Sequence, residues 1–218
     1  MEKNNAVLII AGPSAVGKTV AAKAIVANDP SFTFLRSGTT REKRGDAFDD
    51  EYLYYTESEF LAGVARGEFA EYMRYGGNLY GTPKSELYRA FSEGKTPLMV
   101  LDLNGVESLG KLTEFSACSV YVYSPIEVIE GRLCERYLKG GGDEKSQNLF
   151  TVRCAQNRRD YGVIDAYVPY IYRLVDNNST IDSLAAEIKK AFLEFKGGTP
   201  KDTAATLAKA IELKKSVE

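Results

Sequence analysis

Along the chain, blocks of hydrophobic residues with two different spacings separate strands from helices. Residues 6–11, Ala-Val-Leu-Ile-Ile-Ala, are an unbroken apolar run closed by Gly12 and Pro13, the signature of a strand buried on both faces of a parallel sheet. Beyond Gly17, Val20, Ala21, Ala24, Ile25 and Val26 recur at helical spacing until Asn28, Asp29 and Pro30 interrupt them, which predicts a helix over residues 18–28. The same reading predicts strands at 31–36, 98–101, 119–123 and 171–175, and helices at 126–138, 149–161 and 181–195. Short buried strands alternating with helices build a parallel core sheet flanked by helices, an α/β fold.

Between residues 37 and 96 the texture changes. A strand at 52–55, a helix at 57–66, a strand at 69–75, a hairpin turn at Gly76-Gly77-Asn78 and a helix at 83–92 describe a small α+β lobe inserted into a core made of residues 1–36 and 97–195. Residues 139–144, Lys-Gly-Gly-Gly-Asp-Glu, form a polar, flexible link between two helices. Residues 196–218 are a C-terminal extension with a helix from Asp202, on which Ala204, Leu207, Ala208 and Ile211 share one face. That stripe is expected to pack within the chain or to join two chains, giving a monomer or a homodimer.

Composition narrows the chemistry. With 218 residues, 44% hydrophobic and 27% charged, the chain is an ordinary globular domain rather than a disordered one. Its 28 basic and 30 acidic side chains leave a net charge of −2, which argues against a nucleic-acid or membrane-surface partner. No apolar run approaches a membrane span, and Met1 to Asn5 are too few and too polar for a signal peptide, so a cytoplasmic protein is expected. Histidine is absent altogether. That removes the commonest neutral-pH base, the Ser-His and Cys-His nucleophile pairs and every His-containing zinc site. Cys118, Cys134 and Cys154 match no metal or redox spacing and are read as reduced thiols.

One motif carries chemistry without histidine. Gly12, Pro13, Ser14, Ala15, Val16, Gly17, Lys18 and Thr19 fit GxxxxGK[ST] at every fixed position, after a buried strand and before a helix. In such a loop, backbone amides cradle phosphate oxygens, the lysine reaches the β- and γ-phosphates, and the hydroxyl ligates Mg²⁺. A nucleoside triphosphate, ATP with Mg²⁺, is the expected ligand. Asp102, at the end of a core strand, is placed like the carboxylate that supports the metal, or like a helix cap.

Further motifs in the same order along the chain resemble the guanylate kinase family of nucleoside monophosphate kinases, over about residues 7–195. The loop is similar to the family's Gly-Pro-Ser-Gly-x-Gly-Lys, and residues 37–44, Ser-Gly-Thr-Thr-Arg-Glu-Lys-Arg, resemble its Ser-x-Thr-Thr-Arg-x-x-Arg. Residues 77–82, Gly-Asn-Leu-Tyr-Gly-Thr, resemble Gly-Asn-x-Tyr-Gly-[Ser/Thr], and Glu71 follows Phe69-Ala70 where the family has a guanine-binding glutamate. The resemblance implies a P-loop kinase with an inserted nucleoside-monophosphate lobe and a lid at about residues 137–147. It further implies phosphoryl transfer from MgATP to GMP or dGMP. Arg41, Arg44, Tyr52 and Tyr80 would hold the acceptor phosphate, while Ser37, Glu71, Thr82 and Asn104 would read the base. Arg136 and Arg153 would meet the transferring group, and Arg132 the adenosine side. The alternatives are a kinase of this fold with another nucleotide or a sugar phosphate as acceptor, and a non-catalytic interaction module.

Base chemistry supports the guanine reading independently. Guanine offers two adjacent donors, N1–H and the 2-amino group, that one carboxylate accepts together, and an O6 acceptor that hydroxyls satisfy; adenine would leave Glu71 poorly paired. Three departures from the family pattern stand out. Ala15 replaces a loop glycine, harmless at negative φ and strained if left-handed. Asn104 replaces an aspartate, though its carbonyl can still accept from the 2-amino group, and Tyr137-Leu138-Lys139 replaces an Arg-Gly pair.

Overall fold

The first apolar run becomes the central strand of a five-stranded parallel sheet in the computed structural model, which describes residues 5–43, 52–178 and 180–218. The strands are β1 (Ala6–Ala11), β2 (Phe32–Phe34), β3 (Ser37–Thr39), β4 (Tyr52–Tyr54), β5 (Phe69–Tyr75), β6 (Asn78–Pro83), β7 (Thr96–Val100), β8 (Ser116–Tyr123) and β9 (Arg173–Asp176). The helices are α1 (Lys18–Asn28), α2 (Glu57–Ala65), α3 (Lys84–Ser92), α4 (Leu103–Gly110), α5 (Ile126–Leu138), α6 (Glu144–Tyr167), α7 (Ile181–Lys196) and α8 (Thr203–Lys215). The core sheet runs β2-β7-β1-β8-β9. Val7 to Ala11 have no solvent exposure, because helices cover both faces. α1 packs with α7 on one side and α4 with α6 on the other. Crossovers of this kind leave the carboxyl ends of the strands, and the loops that follow them, along one edge where ligands bind.

A second, mixed sheet has the order β4-β3-β6-β5. Its hairpin between β5 and β6 closes through Gly76 and Gly77 at φ 56° and 85°, the paired left-handed residues of a type I′ turn. Phe60 and Phe69 stack at 4.2 Å with Tyr55 edge-on to both, so this sheet carries an aromatic core of its own. At its base, Glu86 on α3 accepts from Arg36 at 2.9 Å and from Arg89 at 3.0 Å. Burial alone would raise the Glu86 pKa, but the two guanidinium partners hold it down at about 2.

Two differences from the sequence-based expectation have clear causes. α6 begins at Glu144 rather than at 149, because the Asp143 carboxylate accepts from the Ser146 N–H at 2.8 Å and caps the first turn. Residues 137–147 therefore comprise the end of α5, the glycine turn and the first turn of α6. On α8 the apolar stripe does not pack within the chain, one of the two placements expected for it. Ala204, Leu207, Ala208 and Ile211 are exposed, while Thr206, Ala210 and Leu213 are buried against the rest of the chain. Thr206 can be buried because its hydroxyl donates to the Asp202 carbonyl at 2.6 Å. Lys209 and Lys214 then fix the rotation, one over the Tyr123 ring at 5.2 Å and one on Asp165 at 2.8 Å.

Candidate active site

The phosphate loop leaves β1 at the centre of the sheet and ends in α1. Gly12 sits at φ 140°, and a Cβ there would fall 2.2 Å from the Val122 carbonyl oxygen of β8; no other residue fits. Gly17, at φ 102°, opens α1. Ala15 is left-handed at φ 66°, the single described non-glycine residue with positive φ. Its methyl therefore carries a strain of about 1 kcal/mol, the costly branch of the sequence expectation.

Lys18 folds back over the loop, its ammonium donating to the carbonyls of Gly12 at 2.6 Å and Pro13 at 2.7 Å. Burial lowers its pKa to about 8; the charges of Asp160 and Asp102 oppose that shift, and those of Arg153 and Arg136 reinforce it. Four charged side chains, one from α5, two from α6 and one from the turn between β7 and α4, thus act on one lysine. Arg153 also donates to the Ser14 hydroxyl at 3.4 Å, and Arg132 approaches the Asn177 carbonyl at 3.5 Å. Arg136 is exposed on α5. Pro13 and Val16 are buried in the loop, whereas Thr19 is exposed on the first turn of α1.

Asp102 caps α4, its Oδ1 accepting from the Gly105 N–H at 2.8 Å. It is therefore a helix cap as well as a carboxylate facing the loop. Among the described residues no group of three or more Asp, Glu or Cys side chains could hold a metal unaided. That donor set fits an Mg²⁺ that arrives with a nucleotide, since Mg²⁺ is commonly held by one or two carboxylates plus substrate phosphates.

The second sheet gathers the remaining candidates. Cross-strand register sets Glu71 opposite Thr82, and the Thr82 hydroxyl donates to Glu71 Oε1 at 2.6 Å with both side chains buried. Burial raises the Glu71 pKa to about 7, the Thr82 bond opposes that shift, and the Asp102 charge adds to it. Ser37 pairs with Tyr52 across β3 and β4, and Thr39 with Tyr80 across β3 and β6. The Tyr52 and Tyr80 rings meet edge-on at 6.4 Å, and the Arg41 guanidinium lies 5.2 Å from the Tyr52 ring and 3.3 Å from the Tyr54 hydroxyl. Arg44 lies outside the described residues. Asn104 is exposed on α4, and its carbonyl oxygen accepts from the Tyr167 hydroxyl at 3.1 Å, leaving that oxygen one lone pair for a ligand. A cleft of about 470 Å³ beside it is lined by Asp102, Asn104, Gln156, Arg159, Asp160 and Tyr167.

Sequence reasoning did not single out Asp160, Asn157 or Tyr54. Tyr54 shares a strand face with Tyr52, a period-two signal that was readable. Asn157 and Asp160 follow Arg153 at i+4 and i+7 on α6, a helical-face signal that gains meaning only once the loop is known to lie beneath it.

A glycine loop between the central strand and first helix of a parallel sheet, with an inserted mixed sheet, makes this a P-loop kinase fold. A family model described as Guanylate kinase matches residues 4–194. The chain is 31% identical over 196 residues to a guanylate kinase of Cereibacter sphaeroides, covering 87% of this chain and 86% of that one. A guanylate kinase of Thermotoga maritima is 36% identical over 149 residues, 68% of this chain and 70% of that one. The crystal structure of a guanylate kinase from Anaplasma phagocytophilum shares the fold with a TM-score of 0.62 at 20% identity, over 98% of this chain and 96% of that one. The chain belongs to the guanylate kinase family.

Proposed function

We propose that the protein transfers the γ-phosphoryl group of MgATP to GMP or dGMP, giving ADP and GDP or dGDP. The observation that carries this reading is one chain's pairing of a glycine loop closed over by Lys18 with a buried Glu71–Thr82 pair on the second sheet, a carboxylate and hydroxyl suited to guanine. On the donor side, the loop amides and Lys18 hold the triphosphate of ATP, with Arg132 toward adenosine. Thr19 and Asp102 hold Mg²⁺, which neutralises phosphate charge when bound. On the acceptor side, Arg41, Arg44, Tyr52 and Tyr80 take the GMP phosphate, while Glu71, Thr82, Ser37 and Asn104 take the base.

No protein base is required, because the attacking group is already an ionised phosphate oxygen. The absence of histidine costs this chemistry nothing. Positioning and charge neutralisation remain, and Lys18, Arg136 and Arg153 supply positive charge where it develops on the transferring group. In this reading residues 37–96 form the GMP-binding lobe and residues 137–147 a lid over ATP; their closure excludes water, which would compete as acceptor.

An ADP-release assay across GMP, AMP, UMP, CMP and ribose phosphates tests the proposal. GMP is expected to be the preferred acceptor. A preference for another acceptor would make this a kinase of different specificity, and silence with all of them would point to an interaction module. Lys18→Ala should lower turnover by about a thousandfold or more, the scale of losing a transition-state charge contact, with GMP affinity largely kept.

A further inference from the structure

Asn157 is a fully buried side chain on α6, and both ends of its amide are spent on one residue of the phosphate loop. Its Oδ1 accepts from the Ser14 N–H at 2.7 Å, and its Nδ2 donates to the Ser14 carbonyl at 3.2 Å. Those two groups belong to the peptide planes on either side of Ser14, so one side chain, 143 residues away in sequence, fixes both. The second plane leads directly into Ala15, the left-handed residue at φ 66°. Beyond Ala15, Asn177 donates to the Val16 carbonyl at 2.7 Å. The strained residue is therefore bracketed by two buried asparagine contacts.

We propose that Asn157 is a positioning residue for ATP: it pins Ser14 and so holds the phosphate loop open in a conformation that Ala15 would otherwise leave. A glycine at position 15 adopts left-handed torsions without penalty and would need no clamp; an alanine there relaxes toward negative φ unless its neighbours over-determine it. Asn is suited to the task because it offers one acceptor and one donor at fixed separation, matching the N–H and C=O of a single residue. Aspartate would lack the donor and bring a negative charge toward the phosphates. Alanine or leucine would leave two buried backbone groups unpaired. The clamp also ties the loop to α6, the helix that carries Arg153 and begins within residues 137–147.

This inference rests on reading the loop as the ATP site, and the test separates the two. Binding of Mg²⁺ with a non-hydrolysable ATP analogue is measured by calorimetry for wild type, N157L, N157A and the double variant A15G/N157A. Steady-state KM values for ATP and GMP are measured beside it. N157L, which keeps the bulk and loses both bonds, should weaken nucleotide binding about tenfold or more, the scale of one or two lost buried hydrogen bonds. Its KM for GMP should stay within about twofold, a split that a general packing defect would not produce. A15G placed in the N157A background should recover at least half of the loss on a logarithmic scale, because the two positions are coupled. N157L binding the analogue as tightly as wild type would overturn the inference. If N157A fails to fold, A15G/N157A must fold better than N157A, and a double variant no more stable would overturn it equally. Wild type that binds no analogue would remove the ATP reading itself, an outcome distinct from either.

Discussion

Glu71 sits where its charge is costly. Burial raises its pKa to about 7, against the Thr82 hydrogen bond and with the help of Asp102, yet the proposed role requires it ionised, to accept two donors from guanine. Below about pH 7 the free protein holds a protonated Glu71, and GMP binding must first remove that proton. kcat/KM for GMP should therefore fall on the acid side with an apparent pKa near 7, and a flat profile between pH 5.5 and about 8 would contradict the assignment of Glu71 to the base. Lys18 sets the opposite limb: with its pKa lowered to about 8 mainly by burial, it loses its charge above that value, and kcat/KM for ATP should decline there. For folding the signs are as follows. A carboxyl pKa raised from 4.5 to about 7 adds no cost below pH 4.5 and destabilises increasingly as pH rises to 7. A lysine pKa lowered from 10.5 to about 8 costs most below pH 8, and that cost disappears as pH rises to 10.5. Glu71 and Lys18, the residues proposed for the two nucleotide sites, thus work against stability over the range in which both are charged.

Among elements, α8 shows where periodicity leaves the docked face undecided. Two apolar faces are available on it, and the buried one contains a threonine that satisfies itself on the preceding turn. Leu213→Ala should lower stability by about 2–4 kcal/mol, as for truncation of a buried leucine. Leu207→Ala and Ile211→Ala should shift it by about 0.5 kcal/mol or less. Urea midpoints of the three variants decide the matter; equal midpoints would mean that the helix is not docked on this face. α8 also explains why sequence reading works unevenly. β1, the glycine loop and α1 were legible because burial on both faces leaves an unbroken apolar run and the loop needs glycine at fixed places. β3 (Ser37–Thr39) was not, since three small or polar residues, held between β4 and β6 by main-chain bonds, carry no periodic signal. The start of α6 was hidden because a glycine run reads as flexible until the Asp143 cap is recognised.

For the molecule as a whole, the candidate site was partly legible. Lys18, Arg41, Glu71 and Thr82 lie in local motifs, so sequence alone could single them out. Asp160 and Asn157 lie more than a hundred residues from the loop they face, and their positions follow from the packing of α6 alone. The sheet brings these distant segments to one edge, with Asp102 between the two halves. That placement has a thermodynamic consequence. A cation arriving with ATP would offset the Asp102 charge, lower the Glu71 pKa and spare GMP part of the work of ionising it. Each substrate would then tighten the other's binding by the same factor, as reciprocity demands. GMP titrated in the presence and absence of Mg²⁺ with an ATP analogue should show this synergy at pH 6 and lose it at about pH 8, where Glu71 is already charged. Synergy independent of pH would place its origin elsewhere. One helix-capping carboxylate would in this way link the two nucleotide sites, letting acidity set how strongly each summons the other.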